Sequence, residues 1–269
     1  MLRDVAAEVA ALQKLVATAG STAQGRARAA FAAAMSKIPV VDRATGEDVH
    51  DLDARIDGYL TALPFAAGSH VRAGYEATAG GVFSWNTGVD YARALRESGR
   101  WSEVDAAYRQ AGLSLEGDLR TLADAERLAA DTETVEFVER TASFTGELTV
   151  PVLSLSTTGD GAGSTQDDEA YRITVREAGE QSQLRQAFVR AEGHCTFTGA
   201  EEAAVFETMF ARLADGTWPA TSPRALSERA ASIEAGSALE LGAVRFGTAG
   251  HGGTPARMWD VDDWGTYSG

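Results

Sequence analysis

Two short apolar runs, separated by a polar segment of helical character, constrain the fold of this chain more than any other feature. The first run, residues 150–156, is followed by Asp160, and the second, residues 184–190, is followed by His194. The order strand, helix, strand predicts a parallel β-α-β unit whose two strands end at the same edge of the sheet. We therefore expect Asp160 and His194 to face one crevice, where a carboxylate fixes the tautomer of an imidazole and stabilises its protonated form.

Two longer motifs surround this pair. Asp160 closes the sequence Pro-Val-Leu-Ser-Leu-Ser-Thr-Thr-Gly-Asp, and His194 lies in Gly-His-Cys-Thr-Phe-Thr. Together with Gly25-Arg-Ala-Arg28 and Ser84-Trp-Asn-Thr-Gly-Val-Asp-Tyr91 upstream, these motifs resemble an actinobacterial branch of the α/β-hydrolases over residues 5–218. The resemblance implies the last strands of that fold and a mainly helical cap over its active site. It also implies that Asp160 is the catalytic acid and His194 the catalytic base.

The predicted fold class is α/β, with a partial parallel sheet of the α/β-hydrolase type and a large, mainly helical cap. Residues 1–145 form the cap-like region, and residues 146–269 form the αβ region that carries the acid and the histidine. Apolar residues recur at helical spacing in about seven segments. These segments include 24–36, 47–60, 101–111, 131–140 and 200–215. Residues 64–81 lack a regular pattern.

The segment 200–215 has the clearest helical pattern in the chain. Its apolar residues recur at steps of three and four, so we expect them to face inward. They are Ala203, Val205, Phe206, Met209, Phe210 and Leu213.

Strands are few in the predicted fold. Two are clear and a third is expected within 239–246, whereas a parallel sheet normally has more. The outer edge of the first strand is therefore open, and an open apolar edge invites pairing. We expect it to be covered by a rearranged cap, by a second copy of the chain, or by a companion chain that supplies the missing half.

The net charge restricts the partners. It is −15 over 269 residues, which argues against a nucleic acid or an anionic membrane surface and leaves a small-molecule substrate. No apolar stretch reaches the roughly 18 residues that a membrane span needs. The first residues lack the apolar block of a secretory signal, so we expect a cytoplasmic protein.

Motifs for cofactors and metals are absent from the sequence. Cys195 is the single cysteine, which excludes an internal disulfide and a cysteine-based zinc site, and we expect it to be a small buried residue. The segment Gly159-Asp-Gly-Ala-Gly163 lacks the Lys and Ser/Thr of a P-loop. The histidines lack metal-binding spacing, and we place His50 on the polar face of a helix. We therefore expect neither a cofactor nor a metal ion.

The nucleophile is the missing member of a hydrolytic triad. The elbow motif G-x-S-x-G does not occur, and in the family order the nucleophile precedes the acid and the histidine. Ser69 precedes Asp160, but the residues before it do not read as a buried strand that leads into a sharp turn. Asp167 and Asp168 are alternative acids on the loop after the first strand, although their position suits the positive end of a helix dipole.

A second group of candidates lies in the cap-like region. We expect these residues to line a substrate pocket, with core packing as the alternative for the aromatic ones. They are Phe83, Ser84, Trp85, Asn86, Asp90 and Tyr91.

Three functions remain open from the sequence. The first is an ester- or amide-hydrolysing enzyme whose nucleophile comes from a separate chain. The second is a stand-alone biosynthetic enzyme that uses His194 and Asp160 for proton transfer, elimination or cyclisation without a covalent step. The third is a catalytically silent protein that binds a ligand or a partner, in which a loop aspartate and a turn histidine only hydrogen-bond.

Overall fold

A computed structural model describes residues 5–42, 45–66 and 69–249, and for residues 5, 6, 66, 69 and 70 it describes the backbone alone. The end of the sequence, including His251 and Trp264, lies outside the described residues. The elements in chain order are α1 (Val5–Gly20), α2 (Ala23–Met35), α3 (Leu52–Ala66), α4 (Ser69–Ala79), α5 (Tyr91–Glu97), α6 (Trp101–Gln110), α7 (Leu115–Asp124), α8 (Thr132–Ala142), β1 (Val152–Gly159), α9 (Thr165–Glu177), β2 (Leu184–Glu192), α10 (Gly199–Asp215), α11 (Pro223–Gly236) and β3 (Phe246–Gly247).

These elements belong to two compact units. In the described part of the chain, the first unit consists of residues 5–38 and 50–143, and the second of residues 39–49 and 144–249. Helices α1 to α8 form the first unit, while the strands and α9 to α11 belong to the second. The division into domains at residue 145 stays a prediction. None of the described helices combines the length and the apolar character that crossing a bilayer requires.

The first unit is built around the alanine-rich helix α2, which packs against α1, α3 and α6. Alanines at positions 27, 29, 30, 33 and 34 are buried, and their small side chains let the neighbouring helices approach closely. A polar network joins α3 to α6. The fully buried Tyr59 hydroxyl donates a hydrogen bond to Glu103 at 2.5 Å and accepts one from Arg55 at 2.7 Å. Burial raises the pKa of Tyr59 to about 12.

The boundaries predicted for the helix over residues 47–60 are wrong. The helix predicted from residue 47 begins at Leu52, because Val41 and Asp48 form an antiparallel bridge and Asp51 accepts a hydrogen bond from the Ala54 amide. His50 is therefore exposed in the connection before α3 rather than on a helix face. Within residues 64–81, which lack a sequence pattern, α3 continues to Ala66 and α4 follows.

The sheet of the second unit has the strand order β1-β2-β3. β1 and β2 are parallel, with Val152 opposite Leu184, whereas β3 is two residues long and antiparallel to β2. The mixed α/β class and the parallel pair are thus confirmed, although the third strand is shorter than expected. The α/β-hydrolase fold itself stays a prediction.

Helices α9 and α10 cover opposite faces of this sheet. Successive residues of a strand point to opposite faces. On β2, the Arg185 guanidinium stacks on Trp218, which follows α10, while the Gln186 amide donates to the Asp168 carbonyl of α9 at 2.8 Å. β1 and β2 are thereby enclosed by one helix on each face.

The inward face predicted for α10 is wrong for Phe206, Phe210 and Leu213, whereas Ala203, Val205 and Met209 are half-buried. Phe206, Phe210 and Leu213 are 61%, 63% and 62% exposed, while Ala200 and Ala204 on the opposite side are fully buried. These two alanines pack against Ala230 of α11, with Ile233, Leu241, Val244 and Phe246 around them. The helix carries two apolar faces, and the one with small side chains packs against the rest of the unit because it allows closer contact.

We predict that Tyr59→Phe lowers the free energy of unfolding by about 1–2 kcal/mol, because the half-buried Glu103 carboxylate and Arg55 guanidinium each lose a hydrogen bond. Urea denaturation followed by circular dichroism measures the change. Tyr75→Phe on α4 is the matched control, since Tyr75 is 62% exposed and its replacement should alter stability by less than about 0.5 kcal/mol. Equal effects of the two substitutions would contradict the role given to the network.

Candidate active site

The ends of β1 and β2 bring Asp160 and His194 into direct contact. Asp160 follows the last residue of β1, His194 lies two residues beyond β2, and the Gly193 amide donates to the Gly159 carbonyl at 3.0 Å. The Asp160 Oδ2 and His194 Nδ1 atoms are 2.7 Å apart. The predicted proximity of these two residues is confirmed.

The environment of the carboxylate defines what the imidazole can do. The Asp160 Oδ1 atom accepts a hydrogen bond from the Ala162 amide at 2.8 Å, which leaves Oδ2 for His194. An ionised carboxylate only accepts hydrogen bonds, so the Nδ1 atom of His194 carries the proton and Nε2 of the neutral ring carries the lone pair. The Asp160 side chain is 10% exposed and that of His194 is 54% exposed. A sheltered acid thus orients an imidazole that solvent can reach, as general base catalysis requires.

Two glycines let the strand ends approach this closely. A Cβ atom at Gly159 would lie 2.5 Å from Val41 Cγ2 and 2.6 Å from the Ala191 carbonyl oxygen, so a larger residue does not fit there. Gly193 has a φ angle of +95°, which residues with a side chain rarely adopt. Its carbonyl accepts a hydrogen bond from Thr157 Oγ1 at 2.6 Å. The sequence Thr-Thr-Gly-Asp therefore provides both the close approach and the acid.

The expected burial of Cys195 is wrong. Cys195 is exposed, and its φ of +53° lies in the left-handed region. The turn that begins at Gly193 continues through this residue, which directs the thiol away from the interior.

A buried carboxylate supports the loop that carries His194. Glu201 is fully buried at the start of α10 and accepts hydrogen bonds from the Thr198 amide at 2.9 Å and from the Arg245 amide and guanidinium. Arg245 also donates to the Thr196 carbonyl at 2.8 Å, two residues beyond His194. Our sequence reasoning missed this pair, although Thr198-Gly-Ala-Glu201 is the S/T-x-x-E pattern of a capping box.

The two alternative acids have other hydrogen-bond partners. Asp167 accepts from Ser164 in the capping box of α9, as its position indicated, and Asp168 accepts from Ser156 Oγ at 3.0 Å. Burial raises the pKa of the Asp168 carboxyl, and the charges of Asp167 and Asp160 act in the same direction, while the hydrogen bond from Ser156 opposes them. The carboxylate that bonds His194 Nδ1 is that of Asp160.

The predicted pocket residues belong to the first unit, and Asn86, Asp90 and Tyr91 take part in hydrogen bonds there. Asn86 exchanges hydrogen bonds with the backbone of Leu128 and donates from Nδ2 to the Tyr91 hydroxyl at 2.9 Å. Asp90 caps α5 by accepting hydrogen bonds from the amides of Ala92 and Arg93.

The aromatic rings and the serine among the predicted pocket residues are half-buried or packed against neighbouring side chains. The Tyr91 ring contacts the Arg127 guanidinium and the edge of Phe31. Phe83, Ser84 and Trp85 are half-buried, and within the described residues the buried Ser84 Oγ has no hydrogen-bond partner. Their role as pocket residues stays a prediction.

The described residues offer no substitute for the missing elbow. Ser69 begins α4 and comes after α3 rather than after a strand, and its side chain lies outside the described residues.

Among the residues that the structure describes, no three His, Cys, Asp or Glu side chains form a cluster that could hold a metal ion. A shallow cleft beside β2 and β3, lined by Phe188, Leu226 and their neighbours, includes neither Asp160 nor His194.

Comparison with known proteins finds an amidase. Over 264 residues, 95% of its length, the chain is 31% identical to an o-phthalyl amidase of Xanthobacter agilis. The match covers 54% of that amidase, so the chain spans about half the length of the curated relative it matches. Neither a protein-family model nor a solved structure matches the chain. The similarity supports a coarse relationship to hydrolases, while the actinobacterial branch and the truncated fold stay predictions.

We predict that Glu201→Gln lowers the free energy of unfolding by about 3 kcal/mol, because it leaves the Arg245 charge without its buried partner and places an amide against backbone N–H groups. Urea denaturation tests this. Glu202→Gln is the matched control, since Glu202 is the next residue and its carboxylate is exposed. If both variants unfold at the same urea concentration, Glu201 does not support the loop as described.

We predict that Asp168→Asn raises the Tm near neutral pH but not in acid. The folded pKa of Asp168 lies above its ordinary value of 3.8, so the folded state holds this proton more tightly than the unfolded state. The resulting stability is fully present below pH 3.8 and is lost as the pH rises through the raised pKa. Asn keeps the acceptor for Ser156 and carries no charge. Thermal unfolding near neutral pH and at about pH 3 measures the difference, and a Tm gain of the same size at both would contradict this account.

Proposed function

We propose that this chain supplies the acid and the base of an α/β-hydrolase-type enzyme that cleaves amides or esters. The observation that carries the proposal is the 2.7 Å contact between Asp160 Oδ2 and His194 Nδ1, in which a sheltered carboxylate orients a solvent-accessible imidazole. The similarity to an o-phthalyl amidase supports amide hydrolysis as the reaction class. Small amides, including o-phthalyl amides, are therefore the proposed substrates.

The proposed reaction assigns a separate role to each residue. A hydroxyl nucleophile on a separate polypeptide attacks the carbonyl carbon and gives its proton to Nε2 of His194. Asp160 stabilises the imidazolium, which then donates that proton to the departing amine. Water then attacks the acyl carbon and gives its proton to His194, which returns that proton to the nucleophile's oxygen as the acyl–oxygen bond breaks, so that the acid product leaves and the hydroxyl is restored.

The nucleophile is proposed to come from a separate polypeptide because this sequence lacks G-x-S-x-G. The candidate pocket residues of the cap are proposed to contact the substrate. The buried Ser84 hydroxyl supports this, since it has no hydrogen-bond partner within the described residues. Asn86 and Asp90 would contribute by shaping the loop, because their polar groups already bond to the backbone.

The same geometry supports a second candidate function. A histidine oriented by a carboxylate acts as a general acid or base without any covalent step, and the absence of an elbow motif favours such chemistry. In that case this chain alone would catalyse proton transfer, elimination or cyclisation.

We predict that His194→Ala and Asp160→Asn each lower kcat/KM for amide hydrolysis by roughly 10³–10⁴-fold. The assay uses an o-phthalyl amide and this chain mixed with the part of the Xanthobacter agilis amidase outside the matched region, produced as a separate polypeptide. His50→Ala is the matched control, because His50 is exposed in the connection before α3, and it should leave the rate unchanged.

The outcomes separate the candidate functions. A serine-directed phosphonate should label the added polypeptide and not this chain. Product formed by this chain alone, lost in His194→Ala and accompanied by no phosphonate adduct, would favour the non-hydrolytic enzyme. Full activity in both site variants would remove the catalytic proposal and leave a binding protein.

A further inference from the structure

Helix α10 presents an apolar surface that the described residues of its own unit leave exposed. Phe206, Phe210 and Leu213 recur at steps of four and three and are each more than 60% exposed. The rings of Phe206 and Phe210 stack with their centroids 6.4 Å apart. We call these three residues the α10 stripe. Clustered aromatic residues of this kind mark interaction surfaces more often than single exposed apolar residues do.

A second, independent feature is the outer edge of β1. The Val152 amide donates to the Gln183 carbonyl, so Val152 and every second residue after it bond towards β2. The amides and carbonyls of Leu153 and Leu155 consequently point to the outer edge. In the described part of the chain, no strand lies beyond that edge.

The burial of the two strands agrees with an incomplete sheet. Leu184, Ala187 and Val189 of β2 are at most 6% exposed. On β1, Leu153 and Leu155 remain half-buried although they belong to an equally apolar run. Helix α10 packs on β1, so the open edge and the α10 stripe belong to adjacent elements.

Length and charge indicate which occupant this surface takes. The match covers 54% of the amidase, so a segment of comparable size in that relative lies outside the matched region. A second copy is a poor fit, because two chains would bring two net charges of −15 together. A two-fold dimer would also pair β1 with β1 in antiparallel orientation rather than extend the parallel sheet.

We infer that the β1 edge and the α10 stripe bind the other half of an amidase-type hydrolase. This partner adds a strand parallel to β1 and covers Phe206, Phe210 and Leu213 with apolar side chains. Its identity rests on the proposed function, because the same partner would bring the nucleophile. The surface itself rests on exposure and strand pairing alone.

The test uses the full chain and the unmatched part of the Xanthobacter agilis amidase as the probe. Sedimentation velocity should detect a 1:1 complex, and the double variant Phe206→Asp/Phe210→Asp should weaken it by about 100-fold or more. Leu239→Asp is the matched control, since Leu239 is 71% exposed in the second unit, and it should change the Kd by less than about threefold. Thermal unfolding of each variant checks that it folds, as exposed positions should permit.

Amide hydrogen exchange tests the edge separately. In the complex the amides of Leu153 and Leu155 should exchange at least about tenfold more slowly, while that of Ser154, which bonds towards β2, should change little. Absence of a complex, a homodimer that buries Phe206 and Phe210, or a complex insensitive to the double variant would each overturn the inference. A complex with these properties but no hydrolysis would support the proposed surface and contradict the proposed function. Hydrolysis that the double variant does not affect would support the function and contradict the surface.

Discussion

The parallel pairing of β1 with β2 is the constraint on which the candidate site depends. It places Gly159 opposite Glu192, so that the two residues that follow, Asp160 and the turn at Gly193, leave the sheet side by side. A slip of one residue would turn every side chain of a strand to the other face and separate the carboxylate from the imidazole. The Gly193–Gly159 hydrogen bond and the support of the loop by Glu201 hold that register where it matters.

The open edge of β1 leaves the sheet of the second unit incomplete within the described residues. A parallel sheet is stable when both faces and both edges of its apolar strands are covered. In the second unit, α9 and α10 cover the faces, and β2 is buried between two strands, while β1 has a neighbour on one side only in the described residues. A strand added beside β1 would cover Leu153 and Leu155, and in the proposed function the same segment carries the nucleophile.

Local motifs predicted much of the second unit correctly, and tertiary packing decided the rest. The strand-acid-helix-strand-histidine order predicted the contact of Asp160 with His194, because both residues directly follow strands whose pairing is set by a short crossover. The exposed side of α10 was not predictable from periodicity, since Phe206 and Ala204 lie on two apolar faces and only the position of α11 selects one. The exposure of Cys195 depends on a left-handed turn that the sequence did not predict. The Glu201–Arg245 ion pair joins residues 44 positions apart, a distance that no local pattern spans.

The most direct test of the account is the tautomer of His194, measured by nitrogen-15 NMR at a pH where the imidazole is neutral. The account predicts a proton on Nδ1, with a strongly downfield proton resonance from the hydrogen bond to Asp160, and loss of that resonance in Asp160→Asn. A proton on Nε2 in both the unmodified chain and the variant would contradict it, because the carboxylate would then not orient the imidazole.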